Sequence, residues 1–268
     1  MQSIKFVYPR KTLPISVTGD KCELNCPHCK GHYLKHMAKP FSEENKIKND
    51  VASYLVSGGC DSEGAVPLKD NLDLLKKLSK KHKVIAHTGL IKGKDVALIS
   101  PYIYAASFNM IGDESTIKEI YNLNKTTKNF IDSYKALREK VKTFPHITIG
   151  LHHGSVKGEY NALDMLSNLG TEAIVFNIFI PNQDTELGEV KPPNLNEIQG
   201  VISYARKKID GVKLYLGCMR PGGSYREKLD EFCVKKGIDR IVMPSKSAKR
   251  LAVSRGYEIT ESQECCII

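Results

Sequence analysis

Three cysteines in one short stretch are the residues of this 268-residue chain best placed to do chemistry. Cys22-Glu-Leu-Asn-Cys26-Pro-His-Cys29 has the spacing C-x3-C-x2-C and follows a short apolar run, Leu13-Pro-Ile-Ser-Val17. Soft thiolate sulfur holds iron well, so three close thiolates suit an iron–sulfur cluster. A four-iron cube takes four ligands, and three cysteines leave one iron free to hold something else. The competing chemistry is a structural zinc site, which needs a second pair of Cys or His nearby to close a tetrahedron. His28, His32 and His36 keep that reading open.

The elements that must position these residues are legible as alternating patterns. Apolar runs read as strands at 12–18, 53–58, 83–88, 103–109, 146–151, 173–180, 212–218 and 240–243. Helical patterns lie between most of them. Leu68, Leu72, Leu75 and Leu78 share one helix face. Tyr160 to Leu169, Leu195 to Ile209 and Tyr225 to Lys236 read similarly, and 113–145 holds two helical patterns broken near Asn122. Alternating β and α with buried parallel strands predicts an α/β fold, a TIM-type (β/α)8 barrel, full or nearly full, in a single domain over 1–250. A polar tail, 251–268, would follow it.

Chemistry in such barrels sits at the C-terminal ends of the strands. That rule gathers Cys22, Cys26 and Cys29 after the first strand, Cys60 after the second, and His87 at the end of the third. Asn109 ends the fourth, His152 and His153 end the fifth, and Cys218 and Arg220 follow the seventh. Cys60, Cys218, Cys265 and Cys266, the last two on a tail able to fold back over the mouth, form a candidate ligand set for a second cluster. Free cysteine is among the most buried residue types, so a core role competes at each. Cys233 shares a helix face with Leu229 and Phe232 and reads as structural. The ending Cys-Cys-Ile-Ile also has the form of a prenylation box, with no other membrane signal beside it. Arg220 is a candidate cluster ligand or an anchor for a carboxylate or phosphate.

Hydrophobic residues make up 41% and charged residues 26%, an ordinary globular balance. No apolar run approaches the roughly 20 residues that span a bilayer. With no signal peptide read at the start, the expected place is the cytoplasm, where the eight cysteines are thiols or ligands rather than disulfides. The formal charge of +10 calls for an acidic partner, an anionic substrate or nucleic acid, or else marks a solvated basic face. No aromatic-rich basic stripe accompanies it, which argues against nucleic acid.

The cysteine triplet resembles that of the radical S-adenosylmethionine enzymes, and the resemblance runs on through the chain. It implies a [4Fe-4S] cluster on Cys22, Cys26 and Cys29, whose free iron holds S-adenosyl-L-methionine. One electron would then cleave the sulfonium to a 5′-deoxyadenosyl radical. Gly58-Gly59 matches the family's Gly-Gly-Glu position at the methionine end of the cofactor, with Cys60 where the acid is usual and Asp61 or Glu63 as substitutes. His28 stands where the family has an aromatic residue. Asn109, with Asp113 as the weaker candidate, takes the place of a ribose-binding residue. Gly150-Leu-His-His-Gly154 with Glu159 resembles the glycine-rich segment after strand five, and Ile180 falls where a segment packs on adenine.

Phe176 to Leu187 and Leu216-Gly-Cys-Met-Arg-Pro221 resemble the biotin synthase group. Gly-Gly-Cys, Gly-Cys-Met-Arg-Pro and the final Cys-Cys are most similar to the two-component lipoyl synthases of archaea and some bacteria. That likeness implies sulfur insertion into an unactivated C–H bond of an octanoyl chain, with a second [4Fe-4S] cluster as sulfur donor. It also implies an acidic lipoyl-carrier protein, a second radical S-adenosylmethionine subunit, and ferredoxin or flavodoxin as electron donor. The alternatives are a single-cluster rearrangement or cofactor-maturation enzyme acting on a small anion, and, in another class, a zinc-binding nucleic-acid or scaffold protein.

Overall fold

The computed structural model describes residues 2–39 and 51–268. Its framework is one sheet of ten strands, every neighbouring pair parallel. They are β1 (Ser3–Val7), β2 (Thr12–Ser16), β3 (Ser53–Ser57), β4 (Lys83–His87), β5 (Ala105–Asn109), β6 (Thr143–Ile149), β7 (Ala173–Ile178), β8 (Lys213–Leu216), β9 (Arg240–Val242) and β10 (Glu258–Ser262). The spatial order is β10-β1-β9-β8-β7-β6-β5-β4-β3-β2. Eight helices connect and cover them: α1 (Leu72–Ser79), α2 (Gly93–Ile99), α3 (Glu114–Glu119), α4 (Thr127–Lys140), α5 (Glu159–Leu169), α6 (Leu195–Lys208), α7 (Gly223–Lys235) and α8 (Lys246–Ser254). This is a single-domain (β/α) barrel architecture with all eight expected strands and two more.

The helices form where apolar spacing gives each a face for the sheet. In α1, Leu75 and Leu78 are fully buried, worth about 1.5–3 kcal/mol each at full burial. In α6, Asn194 Oδ1 accepts from the Glu197 N–H at 2.9 Å and Glu197 Oε2 accepts from the Asn194 N–H at 3.2 Å. That reciprocal pair satisfies two amides the helix itself cannot. Arg206, Lys207 and Lys208 close the same helix, where cations meet the negative end of its dipole.

The sheet curls. Val7, Ile85, Ala105, Phe144, Val175, Tyr215 and Val242 come from seven strands yet pack in one cluster. Only inward-facing side chains of a rolled sheet can meet in this way. The roll is open between its edge strands β2 and β10, and the chain's last residues span the opening. Tyr8 N–H reaches Ser262 O and Lys11 N–H reaches Gln263 O, both at 2.8 Å. Cys265 N–H reaches Thr12 Oγ1 at 2.8 Å.

Residues 251–268 are therefore not a separate tail. A boundary at 250 cuts α8, and 258–262 form β10. Beyond it, Glu264 pairs with Lys83 at 2.9 Å, and Arg240 donates to the carbonyls of Cys266 and Ile268. Thr12, Lys83 and Arg240 are the first residues of their strands. The segment thus closes the N-terminal end of the barrel, opposite the mouth it was expected to cover. Cys266 and Ile267 are buried in the inner cluster, so apolar burial fixes its place.

Candidate active site

The loop after β2 carries Cys22, Cys26 and Cys29 at the C-terminal mouth of the barrel. It is wound tightly. Asn25 and Lys30 both adopt φ +43°, a left-handed conformation that non-glycine residues rarely hold. The amides of Cys29 and Lys30 both donate to Cys26 O, at 3.1 and 2.9 Å. Other loops pin this one from outside. Glu23 N–H donates to Cys60 O at 2.8 Å. Asn122 Nδ2 donates to Leu24 O at 2.8 Å and Asn25 O at 3.3 Å. Lys30 pairs with Glu186 at 3.0 Å, and Leu187 N–H reaches Pro27 O at 3.4 Å.

Within the loop, donor atoms of Cys26, His28 and Cys29 lie within 4.8 Å of one another. Cys22 stands outside that spacing. The hydrogen bond from the Cys26 thiol pulls the Cys29 thiol down to about 4 against the effect of burial, with His28 adding to the fall. Cys26 correspondingly keeps its proton. Thiolate is the form that ligates metal, and the surroundings of Cys29 favour it. His28 Nδ1 is buried and without a hydrogen-bond partner. All eight cysteines are free.

The glycines after β3 explain how the loop fits. A Cβ on Gly59 would stand 2.6 Å from Cys22 Cα and overlap the Lys21 carbonyl. A Cβ on Gly58 would press on Thr18 at 3.1 Å and Val17 at 3.2 Å. Glycine at 59 is demanded by the cysteine loop itself, besides any approach of a cofactor, whereas a side chain at 58 would need Val17 and Thr18 to give by a few tenths of an ångström. Gly59 N–H donates to Thr18 Oγ1 at 2.7 Å, locking the two loops together. Cys60 faces the triplet: burial, then Cys22, Asp61 and Cys29, push its thiol up to about 12.

Beside Cys60 a cavity of about 100 Å³ opens among Ser57, Gly58, His87, Asn109 and Tyr121. Asn109 hydrogen-bonds both His87 and Tyr121. Burial lowers the His87 pKa against the pull of that hydrogen bond, so its ring is neutral. Burial also raises the Tyr121 phenol, with Cys26, Cys29 and Cys60 adding to it. His146 lies beside His87, ring centroids 6.0 Å apart, with Nδ1 3.1 Å from Phe144 O. These groups give the barrel mouth an uncharged polar floor. Asn109 and His87 were expected there; Tyr121, Asn122 and His146 were not. The one sequence signal for Asn122 was the break between two helical patterns, where it adopts φ +52°.

Other expected residues have different tasks. Glu159 is buried and clamps the loop before α5, its Oε1 accepting from Gly150 N–H and its Oε2 from Lys157 N–H, both at 2.7 Å. Asp113 caps α3 by accepting from Thr116 N–H at 2.7 Å. Ile180 is half-buried just past β7. Arg220 does not face the barrel mouth as an anchor. Its side chain is fully buried, its Nε 2.8 Å from Asp230 Oδ1 and its guanidinium also bonded to the carbonyls of Gly217 and Val242. All its reach is spent inside the protein, where a buried charge needs such partners. Cys233 is core, as expected.

The four further cysteines do not form one set. Cys60 belongs with the triplet. Cys218 instead lies within electrostatic reach of Cys265, and Cys266 within reach of Cys218. Cys218 is a solvent-accessible residue whose thiol is pushed up by local burial and then by Cys265. The three thiols feel one another's charge but do not form a gathered ligand set among the described residues.

Similar folds occur among solved structures. Methylornithine synthase (PylB) superimposes with a TM-score of 0.61 at 9% identity, over 96% of this chain and 84% of that one. The FeFe-hydrogenase maturase HydG from Carboxydothermus hydrogenoformans gives 0.61 at 13%, over 96% and 68%. Elp3 from the archaeon Methanocaldococcus infernus gives 0.50 at 11%, over 97% and 65%. No protein-family model and no curated protein matches the sequence. At these identities the likeness is one of fold: this chain shares the barrel of those three proteins.

Proposed function

We propose that this chain is a radical S-adenosylmethionine enzyme. The observation that carries the reading is the three-cysteine loop, tightly wound and held at the C-terminal mouth of a parallel barrel. The similar folds of methylornithine synthase, HydG and Elp3 belong to radical S-adenosylmethionine enzymes, which supports it. The donor set fits a four-iron cluster. Each thiolate of a cube sits on its own iron, so Cys22 is free to stand apart from Cys26 and Cys29. When bound, the cluster supplies the electron that cleaves S-adenosylmethionine. Cys22, Cys26 and Cys29 would hold it, and the side-chain-free faces of Gly58 and Gly59 keep their loop in place.

Within that class we read sulfur insertion of the lipoyl synthase type. Its support is the resemblance of Leu216-Gly-Cys-Met-Arg-Pro221 and the final Cys-Cys to those enzymes, with Cys218, Cys265 and Cys266 within electrostatic reach of one another. Their sulfurs are not gathered as a ready ligand set among the described residues, so a second cluster would have to draw the two segments together. The uncharged floor of His87, Asn109 and Tyr121 suits an acyl chain better than a small anion. The basic surface would meet an acidic carrier protein, with a second subunit and a ferredoxin or flavodoxin as further partners. A single-cluster rearrangement or maturation enzyme is the alternative if those thiols hold no iron. The compact Cys26, His28 and Cys29 set favours zinc as a second reading of the loop itself.

Iron and sulfide analysis after anaerobic reconstitution separates these. The triple variant Cys22/Cys26/Cys29→Ala should lose S-adenosylmethionine cleavage, read as 5′-deoxyadenosine, while keeping about four irons on a second cluster. Loss of all iron leaves one cluster and the alternative reaction. A wild-type protein that takes up zinc but no iron overturns the class.

A further inference from the structure

A second group of ligand-type side chains lies on the rim of the barrel, away from any cysteine. Glu119 ends α3, and His152 and His153 sit in the loop between β6 and α5. Their donor atoms all lie within 4.8 Å of one another. The backbone arranges this. His153 adopts φ +50°, a left-handed conformation that turns its ring back beside its neighbour. The two imidazoles stand edge to face with centroids 5.0 Å apart. Successive side chains of an extended segment would point to opposite sides instead.

Hydrogen bonds assign the tautomer of His152. Thr116 Oγ1 donates its only proton to Asp113 Oδ2 at 2.8 Å. It can therefore only accept from His152 Nδ1, 3.2 Å away. The proton of a neutral His152 is thus on Nδ1, and Nε2 carries the free lone pair. Metal-binding histidines have the second ring N–H fixed by an outer-shell acceptor, and Thr116 Oγ1, itself held by Asp113, takes that place here. The free Nε2 lies 4.0 Å from Glu119 Oε2. Donors on one tetrahedral zinc at about 2.0–2.2 Å stand roughly 3.3–3.6 Å apart. An exposed carboxylate closes that gap by moving less than about 1 Å.

One group already exploits the lone pair. Lys157 Nζ lies 3.2 Å from His152 Nε2, hydrogen-bonds Ser115 Oγ, and stands 3.9 Å from Asp113 Oδ2. An ammonium thus fills the place of a cation at these donors. It is held by a long side chain that is 41% exposed and able to swing away.

We propose that Glu119, His152 and His153 form a site for a borderline divalent transition metal of the zinc class, with Lys157 as its internal competitor. Two imidazoles and a carboxylate make a three-ligand site that keeps an open position. Bound metal would tie α3 to the loop that Glu159 clamps before α5. The site does not depend on the assignment of the cysteine loop.

The test uses iron-reconstituted protein titrated anaerobically with Zn2+, metal counted by mass spectrometry after desalting. Co2+ absorption reports ligand type, since thiolates give intense charge-transfer bands and imidazole and carboxylate do not. Wild type should hold one more zinc per chain than the Glu119→Gln/His153→Ala variant, at equal iron content, and Co2+ in that position should lack thiolate bands. Lys157→Met should tighten the site about tenfold or more, on the scale of outer-shell effects. Equal zinc in wild type and the double variant overturns the proposal. So does binding seen only in Lys157→Met, or weaker binding there than in wild type.

Discussion

A methyl group added at Gly59 would strike the backbone that carries Cys22. Gly59→Ala is therefore expected to cost about 1–3 kcal/mol of stability and to displace the cysteine loop. Iron retained after reconstitution should fall below half of wild type while circular dichroism keeps its shape; full iron retention would show that the loop tolerates the shift. His146 makes a different prediction. Burial, then His87, lowers its pKa from 6.5 to about 3. The unfolded chain takes up a proton near 6.5 and the folded chain does not until about 3. The unfolded state thus binds more protons in that window, and stability falls as pH drops through it. Above 6.5 the residue contributes no pH dependence. His146→Gln should shrink the stability lost between pH 7.5 and pH 5 by roughly 1–2 kcal/mol, measured by urea unfolding at each pH. The cysteine triplet and the lumen residues His87 and Asn109 were legible from residue type and strand position. Arg220 was misread because nothing local reveals that Asp230, one helix further on, claims it. The rim donors Glu119, His152 and His153 come from two segments and share no spacing pattern.

Among the elements, those with apolar runs were legible and the polar ones were not. β10 reads Glu-Ile-Thr-Glu-Ser and leaves most of its side chains in solvent. Only Ile259 and Ser262 are partly covered, three residues apart, so no two-residue apolar period is there to detect. β1 is short and is buried only because β9 and β10 flank it. Helix boundaries depended on caps. Asn194 starts α6 with both halves of its reciprocal pair in place, so Asn194→Ala should cost about 0.5–2 kcal/mol, read as a lower urea midpoint. The double variant Asn194→Ala/Glu197→Ala should cost less than the sum of the two single losses, because the two bonds act as one motif. The same helix carries Ile198, Val201, Ile202 and Ala205 on its buried face, which is the spacing that announced it.

For the whole molecule, the inner cluster matters most at its closed end. Ile267 is 2% exposed among side chains from seven strands. Ile267→Ala should cost about 2–5 kcal/mol, a large share of the roughly 5–15 kcal/mol that holds a domain together. Thermal unfolding followed by circular dichroism would register it, and an unchanged midpoint would mean that the final residues plug nothing. The barrel was legible as a class because eight buried runs alternate with helices. That it stays open between β2 and β10 was not, because no residue pattern marks a seam. The seam also sets an order of events. Among the described residues β1 pairs with β9 and β10 alone, whose residues are made long after its own. A growing chain can display the cysteine loop long before those partners exist. Closure must therefore wait for the far end of the sequence, and such distant pairing is slow. Metal reaching the cysteine loop before β9 and β10 exist would meet an unfinished barrel, so loading of the proposed cluster is expected to follow their pairing with β1.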